Sequence, residues 1–363
     1  MLKQQKIFFD FLRFSIGSAK EIPGSLKEVD WKKLYAIAQK QALLGVLFYG
    51  IQRLPKELAP EQKLLMQWMV MAEMIRKQNI RLFLDSVKVC KNFENEGFAN
   101  CILKGQGNAL LYPDPYMRTP GDIDIYLTGG RKRVMQYINK VCPNQVMRYH
   151  HVDFPVMKTA IEVHFTPSYM FFPIHNSRMQ KWFKEVMGEQ CNHRVSLPDG
   201  YGEIYVPQVS FNVIYILSHL YRHIFTEGIG LRQLLDYYYV LISDDLLLIR
   251  DRVQKELKPL GLWKFAQAVM FVMKEVFGLS EDRMIAPMDE KEGSFLLDEI
   301  MRGGNFGQYD DRMGSKVGES KIHRYFRMNL RNLRFVKHYP AEALSEPLFR
   351  TWFAVWKKIH GIR

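Results

Sequence analysis

Two aspartates, Asp122 and Asp124, stand one residue apart in the run Gly121-Asp122-Ile123-Asp124-Ile125. Acidic and β-branched residues alternate there, and side chains on a strand point to opposite faces with period two. Asp122 and Asp124 therefore share one face, and Ile123 and Ile125 the other. The strand rise puts the two acidic positions roughly 7 Å apart at the Cα level. Like charges held that close repel unless a cation sits between them. Hard carboxylate oxygens suit Mg²⁺ (or Mn²⁺), and Mg²⁺ typically binds through one or two carboxylates plus substrate phosphates. The pattern reads as a divalent-metal site built to receive phosphate. Taken alone, it also fits a strand start carrying two solvated aspartates.

The residues just upstream favour the first reading. An apolar strand, Phe98 to Leu103, ends in Lys104-Gly105-Gln106-Gly107. A short helical piece, Asn108 to Leu111, leads into the Pro-broken loop Tyr112-Pro113-Asp114-Pro115, which carries Arg118 and Pro120. A glycine turn lets the backbone approach an anion, and the helix after it offers free N–H groups. Lys104 and Arg118 are candidates to neutralise phosphate charge.

A strand, a glycine turn, a short helix and then Asp-x-Asp on the next strand resembles the core of the DNA polymerase β-like nucleotidyltransferases. The wording LKG…LYPDP..R..GDIDIYL resembles, more narrowly, the bacterial "uncharacterised nucleotidyltransferase" family of that superfamily. The resemblance implies an enzyme that moves a nucleoside monophosphate from an NTP to an acceptor and releases pyrophosphate. The acceptor is open: a small molecule, a protein or RNA. It also implies that Gly105 and Gln106 meet the triphosphate through backbone groups. The superfamily usually has Gly-Gly or Gly-Ser at this turn, so Gly105-Gln106 departs from it.

A two-metal phosphoryl-transfer site usually needs a third carboxylate beside the Asp pair, and the resemblance implies that it lies on a later strand of the same sheet. The run Thr159 to Phe165 alternates so that Glu162 and His164 share a face. Glu162 is the candidate third ligand and the candidate acceptor of the attacking hydroxyl's proton. His164 contacts phosphate or substrate, or is hydrogen-bonded structure.

The elements that must position these residues follow from periodicity. Residues 1–95 read as an N-terminal helical region, 96–206 as the nucleotidyltransferase α/β core with a hairpin, and 207–363 as a C-terminal helical domain. The fold class expected is α+β: a small mixed sheet between two helical domains. In the first region one helix opens at Asp30, an N-cap, and continues toward Leu47. Another runs from Pro60 to Asn95, with Met66, Met69, Met71 and Met74 at helical spacing read as core. In the core, the strands from Val146 to Val152 and Pro155 to Lys158 are expected to form a hairpin around Asp153. Residues Arg194 to Val206 read as another hairpin, turning at Asp199-Gly200.

His219 and His223 lie at i, i+4 on the helix that follows, but no H-E-x-x-H accompanies them. Arg232 and Asp236 are i, i+4 partners on the next helix. The H…H…G..L..L.D pattern of the resembled family is matched by His219, His223, Gly228, Leu231, Leu234 and Asp236. The resemblance thus implies that this helical region lines the acceptor pocket. From Lys316 to the end, 11 Lys and Arg face three Glu, and Arg324, Arg327, Arg331 and Arg334 fall on one helical face. Such a face can hold RNA phosphates, lie on an anionic membrane surface or simply be solvated.

The net charge of +13 favours anionic partners without choosing among them. Cys90, Cys101, Cys142 and Cys191 give no metal-binding spacing and no disulfide framework, so a reducing cytoplasm is the simplest setting. No apolar run is long enough to predict a transmembrane helix. Three rival readings stay open: an RNA-modifying (tRNA) nucleotidyltransferase, a non-catalytic nucleotide- or RNA-binding homologue, and a phosphatase on the same carboxylates.

Overall fold

The structure is a computed structural model and describes residues 3–313 and 320–362. Its first quarter is helical: α1 (Lys3–Ile16), α2 (Trp31–Lys40), α3 (Leu44–Ile51) and α4 (Gln62–Asn95). Asp30 caps α2, its Oδ1 accepting from the backbone N–H of Lys32 and Lys33 at 3.1 Å each. The helix opened there does not run on to Leu47. It stops at Lys40, Ala42 takes a left-handed φ of +55°, and α3 starts afresh at Leu44. The break lets the Ala42 carbonyl accept from Thr119 Oγ1 at 2.7 Å, fastening the loop before Asp122.

The methionines of α4 correct a second expectation. Met66, Met69 and Met74 are exposed, and Met71 is half-buried. The inward face is Leu64, Trp68, Ala72 and Ile75.

The central part is β1 (Asn100–Ile102), α5 (Gln106–Ala109), β2 (Ile123–Leu127), α6 (Gly130–Val141), β3 (His151–Asp153) and β4 (Ile161–His164). The sheet order is β1-β2-β4-β3. β1 is antiparallel to β2, β2 parallel to β4, and β3 antiparallel to β4. The expected hairpin around Asp153 is therefore misplaced: β3 pairs with β4, and residues 154–160 connect them. The strand of Asp124 also starts one residue late, at Ile123, leaving Asp122 at its mouth. Ile123, Ile125, Leu127, Ile161 and Val163 are buried against α4 and α6, so the opposite face of the sheet carries the polar residues.

After α7 (Pro173–Gln190) comes the small hairpin of β5 (Arg194–Ser196) and β6 (Glu203–Tyr205). The helices α8 (Val209–Thr226), α9 (Leu231–Leu241), α10 (Asp245–Leu257), α11 (Trp263–Val272) and α12 (Glu290–Gly303) follow. They share a second apolar core with α1, α2 and α3. The chain ends in α13 (Lys321–Val336) and α14 (Pro340–Ile359). The class is α+β, a small mixed sheet flanked by helices. Among the described residues no helix is long and apolar enough to cross a membrane.

Candidate active site

The polar face of the sheet is assembled by register. β2 and β4 align Asp124 with Glu162 and Tyr126 with His164. β3 and β4 align His151 with His164 and Asp153 with Glu162. Directly paired residues share a face, so Asp124, Glu162, His164, His151 and Asp153 converge on one side. Asp122, His150, Lys104 and Gly105 join all of these except Asp153 around a cavity of about 1040 Å³.

The contacts are close. Lys104 Nζ lies 3.2 Å from Asp124 Oδ2 and 3.0 Å from His219 Nε2. His164 Nε2 is 3.0 Å from Asp124 Oδ1 and 3.7 Å from Glu162 Oε2. His151 Nδ1 is 3.2 Å from Glu162 Oε2 and also 3.2 Å from His150 Nε2. Among the described residues three ligand sets arise: Asp124/Glu162/His164, His150/His151/His164 and His151/Asp153/Glu162. Within each, one donor atom per residue lies within 4.8 Å of the others.

Charge is unbalanced on this face. The neighbouring Asp124 carboxylate, with burial, pushes Asp122 up to about 6. Burial would also raise Asp124, but Lys104 and His164 outweigh it and hold Asp124 well below the usual carboxylate range. Burial likewise opposes ionisation of Glu162, and the His164 hydrogen bond overrides it and lowers the value. Burial drives His150 far down and His151 to about 3, so both imidazoles are neutral and free to ligate. An acid raised by a like-charged neighbour is what a divalent cation relieves, and the donors are carboxylate oxygens and neutral imidazoles. The residues fit a divalent ion.

The opposite wall is helical and basic. α8 carries His219, Arg222 and His223, with Arg222 Nη2 3.0 Å from His223 Nε2. α9 carries Arg232 and Asp236. The expected i, i+4 pair between these two does not form. Asp236 instead accepts from Arg118 Nε and Nη2, both at 2.7 Å, and from Tyr112 Oη at 2.7 Å. Arg232 Nη1 donates to the Thr119 carbonyl at 2.8 Å. Arg118 lines the cavity, yet its fork is already closed on Asp236, which raises its pKa against the opposing effect of burial.

Gly105 has φ +61°, a conformation that favours glycine at this turn. Its backbone lines the cavity, whereas Gln106 does not; the Gln106 side chain is buried, with both amide atoms unpartnered among the described residues. Asn108, one turn on, does line it. His150, His151, Asp153, Asn108 and Arg222 were missed by sequence reasoning. The His150-His151 doublet was the available signal, hidden by the misplaced hairpin. The basic C-terminal face is also redistributed. Arg324 is exposed at the cavity, while Arg334 pairs with Glu299 at 3.2 Å and Asp310 at 3.4 Å. Burial lowers Arg331 to about 10. The part of the basic run at Lys316 lies outside the described residues.

A mixed sheet whose carboxylates face a large cavity beside a glycine turn is compatible with a nucleotidyltransferase. Residues 27–278 match the family model described as "Uncharacterised nucleotidyltransferase", and the chain belongs to that family. No curated protein matches it.

Proposed function

We propose that the chain transfers a nucleoside monophosphate from an NTP to an acceptor hydroxyl, with release of pyrophosphate. The observation that supports this most is the β2–β4 register, which sets Asp124 beside Glu162 with Asp122 next to them at the cavity. Asp122, Asp124 and Glu162 would hold Mg²⁺ or Mn²⁺, with His164 fixing the orientation of the last two. Bound there, the ion supplies neutralisation of triphosphate charge. Lys104 meets the phosphates, and the Gly105 backbone lets them come close. Glu162 takes the proton of the attacking hydroxyl, since it faces the cavity as a carboxylate. His219, His223 and Arg232 line the side from which the acceptor would enter. Arg118 and Asp236 act together as a buried clamp that positions the loop before Asp122. Catalysis is then mainly positioning and electrostatics.

One contact favours a second reading. The Lys104 ammonium already lies on Asp124 Oδ2, as a resident cation would in a nucleotide-binding homologue without turnover. Calorimetry with each NTP and Mg²⁺ or Mn²⁺, together with pyrophosphate release over small-molecule and RNA acceptor pools, separates the two. Wild type should bind NTP in a metal-dependent way and release pyrophosphate. Asp122→Asn/Asp124→Asn should lose release by a factor on the order of 10³. Folded wild type that binds no NTP with either metal would sink both readings.

A further inference from the structure

The last helix carries a long exposed apolar stripe. On α14, Leu344, Leu348, Trp352, Val355 and Ile359 recur at spacings of four, four, three and four. That spacing makes a single stripe along most of a 20-residue helix. All five are exposed: Leu348 by 72%, Ile359 by 74% and Trp352 by 52%. The helix is nevertheless anchored. On its inner side Glu342 accepts from the backbone N–H of Phe171 at 2.6 Å and of Phe172 at 3.1 Å. Phe349 stacks on Tyr169, with ring centroids 5.0 Å apart. The exposed stripe is thus the outer face of a docked helix. On α13 the neighbouring residues Phe326, Leu330 and Leu333 are also exposed.

The charges say what covers it. From Lys321 to Ile359 there are nine Lys and Arg and two acids, Glu342 and Glu346. Both acids are buried, so every charge this helical pair turns outward is positive. A second copy packed on the same face would bring only like charge toward like charge. An anionic bilayer matches both properties at once: acyl chains for the stripe, with Trp352 at headgroup level, and phosphates for the cations.

We infer that α14 docks this protein in the plane of an anionic membrane surface. The same helix lines the cavity from its inner side through Arg350, Phe353 and Lys357, so docking by the outer stripe leaves that side of α14 facing the cavity. The inference does not depend on nucleotidyl transfer.

The test is co-sedimentation of the full chain with vesicles of phosphatidylcholine alone and of equal parts phosphatidylcholine and phosphatidylglycerol. Wild type should bind the anionic vesicles at least about tenfold more tightly, and less so at high salt. Leu348→Glu/Ile359→Glu should cut that binding by about tenfold or more. Both positions are exposed, so circular dichroism should be unchanged; Leu348→Gln alone serves if the double variant misfolds. Metal-dependent NTP binding, measured beside it, should stay at the wild-type level. Equal binding to both vesicle types, or none, overturns the inference. So does a lipid-free dimer in sedimentation that the same substitutions dissociate, or binding of single-stranded RNA with no binding of vesicles.

Discussion

The two walls of the cavity are made in different ways. The sheet wall is acidic and imidazole-rich, and its geometry comes from strand register. Once β2, β3 and β4 pair, Asp124, Glu162, His164 and His151 have no other face to occupy. The helical wall is basic, and its geometry comes from side-chain contacts between distant segments. Arg118 reaches Asp236 across 118 residues, and Tyr112 completes the pair. Gln41 reaches across 190 residues to accept from the Leu231 N–H at the start of α9. A wall made by register tolerates the loss of one side chain, because the backbone still sets the rest. A wall made by buried contacts does not.

The largest test of that difference is Asp236→Ala. It leaves the Arg118 guanidinium, itself 3% exposed, buried without its partner. Breaking one side of a buried ion pair costs about 3–5 kcal/mol. Asp153→Asn, on the edge of the sheet wall, should change stability by less than ~1 kcal/mol. Urea or thermal unfolding of the two variants decides the matter. Equal losses would mean that the Arg118–Asp236 clamp does not hold the helical wall. The double substitution Arg118→Met/Asp236→Leu should recover much of the stability, since an apolar pair of similar bulk carries no desolvation cost.

A smaller effect lies in acid. Burial, with Arg222 beside it, lowers His223 to about 4 from its ordinary 6.5. Below pH 6.5 the unfolded chain takes up a proton there that the folded chain refuses, so acid favours unfolding. The loss of stability begins near pH 6.5 and is complete near pH 4, amounting to ~3 kcal/mol at most. In His223→Asn the fall in unfolding free energy between those values should be shallower than in wild type. Parallel pH profiles would show that His223 does not carry this proton.

How far each wall could be read from sequence follows from the same contrast. Asp122, Asp124, Glu162 and His164 were legible because alternation fixes a face without knowledge of the partner strand. His151 and Asp153 were not, because the turn was placed at Asp153 itself rather than after it. Asp236 was visible as a residue but its partner was not. Helical spacing nominates Arg232, and only the tertiary fold brings a two-pronged Arg118 within 2.7 Å of both carboxylate oxygens. Periodicity failed on α4 for a related reason. Both its faces carry apolar residues, so Trp68 and Leu64 faced inward while Met66, Met69 and Met74 were left outside. The mixed sheet and its helical flanks, by contrast, were readable from the change of period at Gly97 and the return of helix at Pro207.

Lys104 is where the two walls meet, and it gives the smallest but sharpest comparison. Its ammonium is shared between Asp124 on the sheet and His219 on α8. On the sheet side it competes with any cation for Asp124. On the helix side burial, with the Lys104 ammonium beside it, keeps His219 neutral. Lys104→Met removes the competitor but leaves Asp122, Asp124 and Glu162 in place. Affinity for Mn²⁺ without nucleotide should therefore rise about tenfold, a difference of about 1.4 kcal/mol. Affinity for NTP should fall by a similar factor, because no ammonium then faces the phosphates. Manganese titration by electron paramagnetic resonance, with and without nucleotide, measures both. A fall in Mn²⁺ affinity would mean that Lys104 organises the carboxylates rather than competing for them. The two walls would then depend on each other, and the independence of the sheet wall would fail.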